Sequence, residues 1–238
     1  MIGVRRFLLI LALLLLPWPA SAANPWQGWN ALCAAIRSET ITPAQARAQA
    51  KKLLPQLRAA SREIAPTPHV FPVAGYGPEC GEGGRNYHLG RFDFYNNRSR
   101  KGLHPAHDLF ITDQDQDSRD DASGAPVTIL AFSSGVVAAT NSGWQPGTPT
   151  YGGNCIWVYD PASDRFCYYA HLERVDVMPG DVVSAGTPLG IMGRTGINAQ
   201  ARRSPTHLHF MVVAWDRGRM TPINPWPELL AAQRLPAR

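Results

Sequence analysis

"CIWVYDPASDRFCYY", residues 155–169, holds two runs of β-branched and aromatic residues separated by Pro161, Ala162 and Ser163. Turn formers set between strand formers predict a β-hairpin. Working outward, the same texture recurs in "VTILAF" (127–132), "GVVAAT" (135–140) and "HLHFMVV" (207–213), with Gly, Pro, Asn and Asp turns between them. "VMPGDVVSAGTPLGIMG" (177–193) adds valines and glycines in a stepped rhythm. The expected fold is mainly β: a compact antiparallel domain of sandwich or barrel type. No fixed-period repeat or low-complexity segment interrupts it.

The first residues read differently. Arg5 and Arg6, an apolar run from Phe7 to Leu16, and Ala20-Ser21-Ala22 form a secretory signal with an A-x-A cleavage site. The run is short of the roughly 20 apolar residues of a membrane span. Residues 1–22 are therefore expected to be a signal peptide that delivers the protein to the periplasm or outside the cell. Their removal takes away two arginines and no acid, lowering the formal charge from +5 to +3. With no basic block, nothing points to nucleic acid.

Residues 23–65 are expected to be a helical N-terminal segment. Thr42 and Pro43 read as an N-cap and a first-turn proline, followed by the helix formers of "AQARAQAKKLL". Pro55 is expected to end or kink that helix. The prolines of "APTPHVFP" (65–72) mark a break before the β domain, placed at 66–226 with a C-terminal tail at 227–238. The helical segment reads equally as a brace, a propeptide or a partner-binding arm.

Four cysteines, Cys33, Cys80, Cys155 and Cys167, include no C-x-x-C pair. An oxidising compartment makes disulfides the expectation over a zinc knuckle. Nearness in sequence favours Cys155–Cys167, which leaves Cys33–Cys80.

Five of the seven histidines fall in three short segments, the others being His69 and His88. "GLHPAHDLF" (102–110) sets His104 four residues before Asp108, with His107 against it. "YYAHL" (168–172) carries His171. "SPTHLHFMVV" (204–213) carries His207 and His209, which share one face of a strand about 7 Å apart. One of that pair can ligate a metal while the other reaches a water or a substrate. A catalytic zinc takes three N or O protein ligands and keeps one open position, a set that His104, Asp108 and His209 would supply.

H-x-x-x-D, then Y-A-H-L, then H-L-H-F, with "PGDVVSAGTPLGIMGRTG" between the last two, resembles the lysostaphin/LytM-type zinc endopeptidases that cleave peptides of bacterial peptidoglycan. The resemblance covers about residues 70–226 and includes the closing "INPWPELL". It implies one Zn²⁺ held by His104, Asp108 and His209, with His171 and His207 as the two catalytic histidines that do not ligate it. It also implies an antiparallel β fold with a groove for an extended peptide. His207, on the strand face of His209, is expected to act as general base. His171 is expected to donate to the oxyanion or to orient the water, and the two roles are exchangeable.

Two positions depart from the family pattern: Ala106 replaces a frequent glycine and His107 a usual aliphatic residue. In a strand entering at Asp108, His107 faces away from the metal, so a supporting role is expected of it. The loop "GYGPECGEGGRNYHLGRFDFY" (75–95) could wall the groove, with Tyr76, Tyr87 or His88 touching peptide; packing onto the core is the commoner use of each. Asp113, Asp115 and Asp117 follow the 1, 3, 5 spacing of a calcium loop. Ser118 replaces its glycine, however, and Gly124 falls where its glutamate belongs, so a solvated acidic loop is favoured over Ca²⁺. Rival functions are an exported zinc peptidase acting on proteins and a non-enzymatic activator of wall hydrolases on the same fold. A biotinyl- or lipoyl-type carrier needs a modifiable lysine, and none follows Lys101.

Overall fold

The computed structural model describes residues 24–96 and 103–237; the expected signal peptide lies outside them. Two helices come first. In α1 (Pro25–Arg37) the Asn24 side chain accepts the Trp26 N–H at 3.0 Å. Thr42 and Gln45 form a reciprocal capping box at the start of α2 (Pro43–Ser61), with Pro43 in its first turn as expected. The helix does not end at Pro55, one of the two outcomes expected there: α2 continues through it to Ser61. The donor lost at Pro55 would have served the carbonyl of Lys51, an exposed residue, while buried Leu54 and Leu57 pin the helix on either side.

The strands are β1 (His107–Phe110), β2 (Thr128–Leu130), β3 (Gly135–Asn141), β4 (Asn154–Asp160), β5 (Arg165–Val175), β6 (Val182–Val183), β7 (Pro188–Met192), β8 (His207–Asp216) and β9 (Arg219–Ile223). They run in the order β1-β8-β5-β4-β3-β6, with β9 added to β8 and β7 linking β5 to β2. Every ladder is antiparallel. The expected hairpin is β4–β5, closed at Asp160↔Arg165. Its turn is held by the Asp160 carboxylate, which accepts the Ala162 N–H at 2.9 Å and the Ser163 hydroxyl at 2.7 Å.

Strand alternation sorts the core into two layers. On one face Trp157, Tyr159, Phe166, Tyr168, Met211 and Val213 pack against Trp26, Trp29, Leu32, Leu54 and Leu57 of the helices. Trp29 stacks on Phe166 with centroids 4.8 Å apart. Arg58 of α2 pairs with Asp164 in the hairpin turn, and Asn30 of α1 accepts the backbone N–H of Thr140 at 3.0 Å. On the other face Ile156, Val158, Tyr169, Phe210 and Val212 pack against Ile129, Leu189 and Met192 of the β2–β7 ribbon. The helix α3 (Trp226–Ala231) buries Leu229 there, and beyond it the Phe71 N–H donates to Gln233 O at 2.8 Å. Among the described residues no helix is long and apolar enough to cross a membrane.

No disulfide is present among the described residues, and the layering of the sheet corrects the expected pairings. With Val158 opposite Cys167 and Ala170 opposite Cys155, the two hairpin cysteines sit three positions out of step. An odd offset puts them on opposite faces: Cys155 lies in the helix-side layer and Cys167 in the ribbon-side layer. Cys33 and Cys80 are divided by the sheet in the same way.

Candidate active site

Strand β8 changes character along one face. Val213 and Met211 lie under the helices, whereas His209 and His207 continue the same face into an open cavity of about 410 Å³. The β1–β8 register sets Asp108 directly opposite His209. One Asp108 oxygen lies 3.0 Å from His209 Nδ1, and the other is 3.1 Å from His104 Nε2 and 3.6 Å from His207 Nε2. His104 is held from behind, its Nδ1 2.9 Å from Asn86 O and its backbone paired with His88 in both directions. The carbonyl can only accept, so Nδ1 carries a proton and Nε2 is the atom turned inward towards Asp108.

His171 reaches the same cavity by a backbone irregularity. The β4–β5 register shifts between Asn154 and Cys155, opposite Ala170 and Leu172, and His171 takes φ 68°. Ala170 packs with the helix-side layer and Leu172 with the ribbon-side layer. The left-handed residue between them aims its ring into the cavity rather than into the core. Its Nδ1 lies 2.8 Å from Thr195 O, and that of His207 lies 2.7 Å from Pro205 O. The two rings meet edge to face with centroids 4.9 Å apart.

Charge follows from this packing. Burial opposes ionisation of Asp108, but hydrogen bonds from His104 and His209 outweigh it and hold the carboxyl well below the usual carboxylate range. Burial also works against the charged form of His104, yet the bond to Asp108 leaves its pKa above the ordinary imidazole value. His209 stays below that value because burial prevails over Asp108. His171 is held well below it by burial, and then by His207 and His209.

Thus the five residues singled out in the sequence converge. Ligand atoms of His104, Asp108 and His209 lie within 4.8 Å of one another, and two imidazoles with one carboxylate match the donor preference of Zn²⁺. His107 faces away, buried, with Nε2 2.8 Å from Asn224 Oδ1 and its ring between Tyr87 and Trp226. Of the three loop residues expected to touch peptide, only His88 lines the cavity. Tyr87 packs on His107, and the Tyr76 hydroxyl donates to Asp120. In the acidic loop Asp113 accepts the N–H groups of Asp117 and Ser118 and the Thr206 hydroxyl, tying 113–118 to the start of β8. Sequence reading missed Thr195 and Pro205, which act through backbone carbonyls, and the wall residues Tyr151, Tyr168 and Asn198. Only the glycines flanking "RT" at 193 and 196 hinted at the close backbone approach around Thr195.

Residues 120–225 match the model of peptidase family M23. The matched stretch contains His171, His207 and His209, while His104 and Asp108 precede it. The structure is similar to a protein from Ruminococcus gnavus described as a glycyl-glycine endopeptidase LytM, at 20% identity over 92% of this chain and 87% of that one, with a TM-score of 0.47. It is similar to the antimicrobial peptidase lysostaphin from Staphylococcus simulans, at 24% identity over 68% of this chain and 52% of that one, with a TM-score of 0.41. A zinc-containing peptidase from Vibrio cholerae is similar at 21% identity over 66% of this chain and 39% of that one, with a TM-score of 0.38. The chain thus spans about half of lysostaphin and less of the Vibrio protein. No curated protein matches it.

Proposed function

We propose that this protein is an exported zinc metalloendopeptidase that hydrolyses peptide bonds of bacterial peptidoglycan, in a cross-link or a stem peptide, in the periplasm or outside the cell. The observation that carries the reading is the meeting of His104 Nε2, Asp108 and His209 Nδ1 beside two imidazoles that do not belong to that trio. The match of residues 120–225 to the model of peptidase family M23 supports peptide hydrolysis and a peptidoglycan substrate. Zn²⁺ at the trio would supply Lewis acidity, making water acidic enough to attack near neutral pH and polarising the scissile carbonyl.

The remaining roles belong to side chains of the chain itself. With Nδ1–H given to a carbonyl, both His171 and His207 present a lone pair at Nε2. Burial keeps His171 neutral, so it accepts a hydrogen bond from the attacking water and orients it; it has no Nε2 proton to offer an oxyanion. His207 takes the proton as base, and the imidazolium so formed lies beside the Asp108 carboxylate. It then holds an Nε2 proton to pass to the leaving amine. Asp108 and His104 keep the trio together, and the Asn86 carbonyl fixes the His104 ring.

Digestion of purified peptidoglycan with the mature protein tests the reading. New peptide termini seen by mass spectrometry, lost with a chelator and regained with zinc, are the expected result. Intact peptidoglycan with cleavage of an unrelated protein would move the assignment to a general exported peptidase. No hydrolysis of either by zinc-loaded protein would refute it.

A further inference from the structure

The geometry points to a disulfide between Cys33 and Cys155 that clamps the helical layer to the sheet. Asn30 docks α1 on β3 at Thr140, and Thr140 and Asn141 lie opposite Ile156 and Cys155 of β4. Cys33 follows Asn30 by three residues and so lies on the same helix face, one turn further on. Cys155 alternates with Trp157 and Tyr159 towards that helix. Both cysteines are buried, at 7% and 4% exposure, and both line one small cavity walled by Phe94, Trp157 and Tyr168. A bridge needs Cα atoms about 4.4–6.8 Å apart, and the shared cavity is where the two side chains would meet.

The other two thiols are separated from this pair and from each other's chemistry. Cys167 lies in the opposite layer, its sulfur 3.8 Å from Ser133 Oγ, and Cys80 packs on the edge of that same layer. Burial pushes each thiol up to about 12, leaving little thiolate to take part in exchange. Cys167 is directed to the face of the sheet opposite to Cys33 and Cys155.

The bridge forms by thiol–disulfide exchange. One thiolate attacks a low-molecular-weight disulfide such as oxidised glutathione, giving a mixed disulfide and one free thiol; the second thiolate then displaces the other half. Both cysteines are oxidised, and the oxidant is reduced and leaves as two thiols that carry away the two cysteine protons. Exchange takes place while α1 is undocked, because docking buries both sulfurs.

The test is peptide mapping of the full chain after refolding in a glutathione redox couple. Thiols are blocked by alkylation under denaturing, non-reducing conditions. The expected result is one linked peptide pair joining Cys33 to Cys155, with two alkylated cysteines, Cys80 and Cys167, instead of four. The Cys80→Ser/Cys167→Ser double variant should keep the linked pair, and Cys33→Ser should lose it. Four alkylated cysteines after refolding, or a linkage of any other pair in the wild-type chain, overturns the inference.

Discussion

Gly196→Ala is expected to damage catalysis without replacing a ligating or titrating side chain. Gly196 has φ +110°, and a Cβ there would come 2.2 Å from Tyr151 O, 3.1 Å from Gly153 N and 3.1 Å from His171 Nδ1. The first contact is with backbone, so the 150–153 and 195–197 segments must separate. A non-glycine residue in this region also stores about 1–3 kcal/mol of strain. The movement pulls the Thr195 carbonyl away from His171, whose ring direction depends on that 2.8 Å bond. Misplacing a reacting group by about 1 Å can cost roughly 10²-fold. The expected outcome is a fall in kcat of about that size on peptidoglycan, with zinc stoichiometry unchanged because His104, Asp108 and His209 are elsewhere. Steady-state kinetics beside metal analysis reads both quantities. Activity within twofold of wild type would show that His171 needs no support from Thr195, and loss of zinc together with activity would show that the damage spreads beyond His171.

Four further outcomes are expected. His207→Ala should lower turnover by about 10²–10⁴-fold and keep its zinc; loss of zinc would show that it is a ligand. Asp108→Asn should weaken zinc binding by more than about 100-fold in a competition titration, since it removes the one charged donor of the trio. Trp29→Ala deletes a fully buried side chain stacked on Phe166 and should cost about 3–5 kcal/mol. At about 2–4 °C per kcal/mol that is a fall in melting temperature of roughly 10 °C, and an unchanged melt would show that the helices are not part of the folded unit. Asp164 is opposed by burial but held below its ordinary pKa by Arg58 and Tyr159, so its contribution is present above about pH 4 and is lost as pH falls through the lowered value. Asp164→Asn should therefore lose under about 1 kcal/mol at neutral pH and show less acid destabilisation in denaturant melts than wild type.

The hairpin and the Thr42 cap were legible because each is set by neighbours in sequence: Pro161 to Ser163 between strand formers, and Thr42 three residues before Gln45. The same holds for His207 and His209, whose common face follows from period two. His171 was legible only through its motif. Alternation from Tyr169 and Ala170 would have turned it into the ribbon-side core, and nothing in "YAHL" announces a non-glycine residue at φ 68°. The cysteine pairing went wrong for a different reason. Once Asp160 opposes Arg165, parity alone forbids Cys155–Cys167, but nearness in sequence carries no information about faces. Pro55 misled because the rule for proline concerns an isolated helix, and here Leu54 and Leu57 bury on both sides of it.

The three roles open for the helical segment are separated by where its side chains go. Trp26, Trp29, Leu32, Leu54 and Leu57 bury against Tyr159, Phe166 and their neighbours, so the helices cover the apolar half of the face that β8 shares with β5. The cavity begins where that face turns to imidazole, and among the described residues its lining starts at His88, after both helices. A propeptide that blocks the site would have to enter this cavity, and a free partner-binding arm would have to leave its own apolar face open. Neither condition holds for α1 and α2. Their position instead keeps Met211 and Tyr168 packed behind His209, whose ring stands 6.3 Å from that of Tyr168. Among the described residues, α1 and α2 thus pack behind the site and contribute nothing to the lining of the cavity.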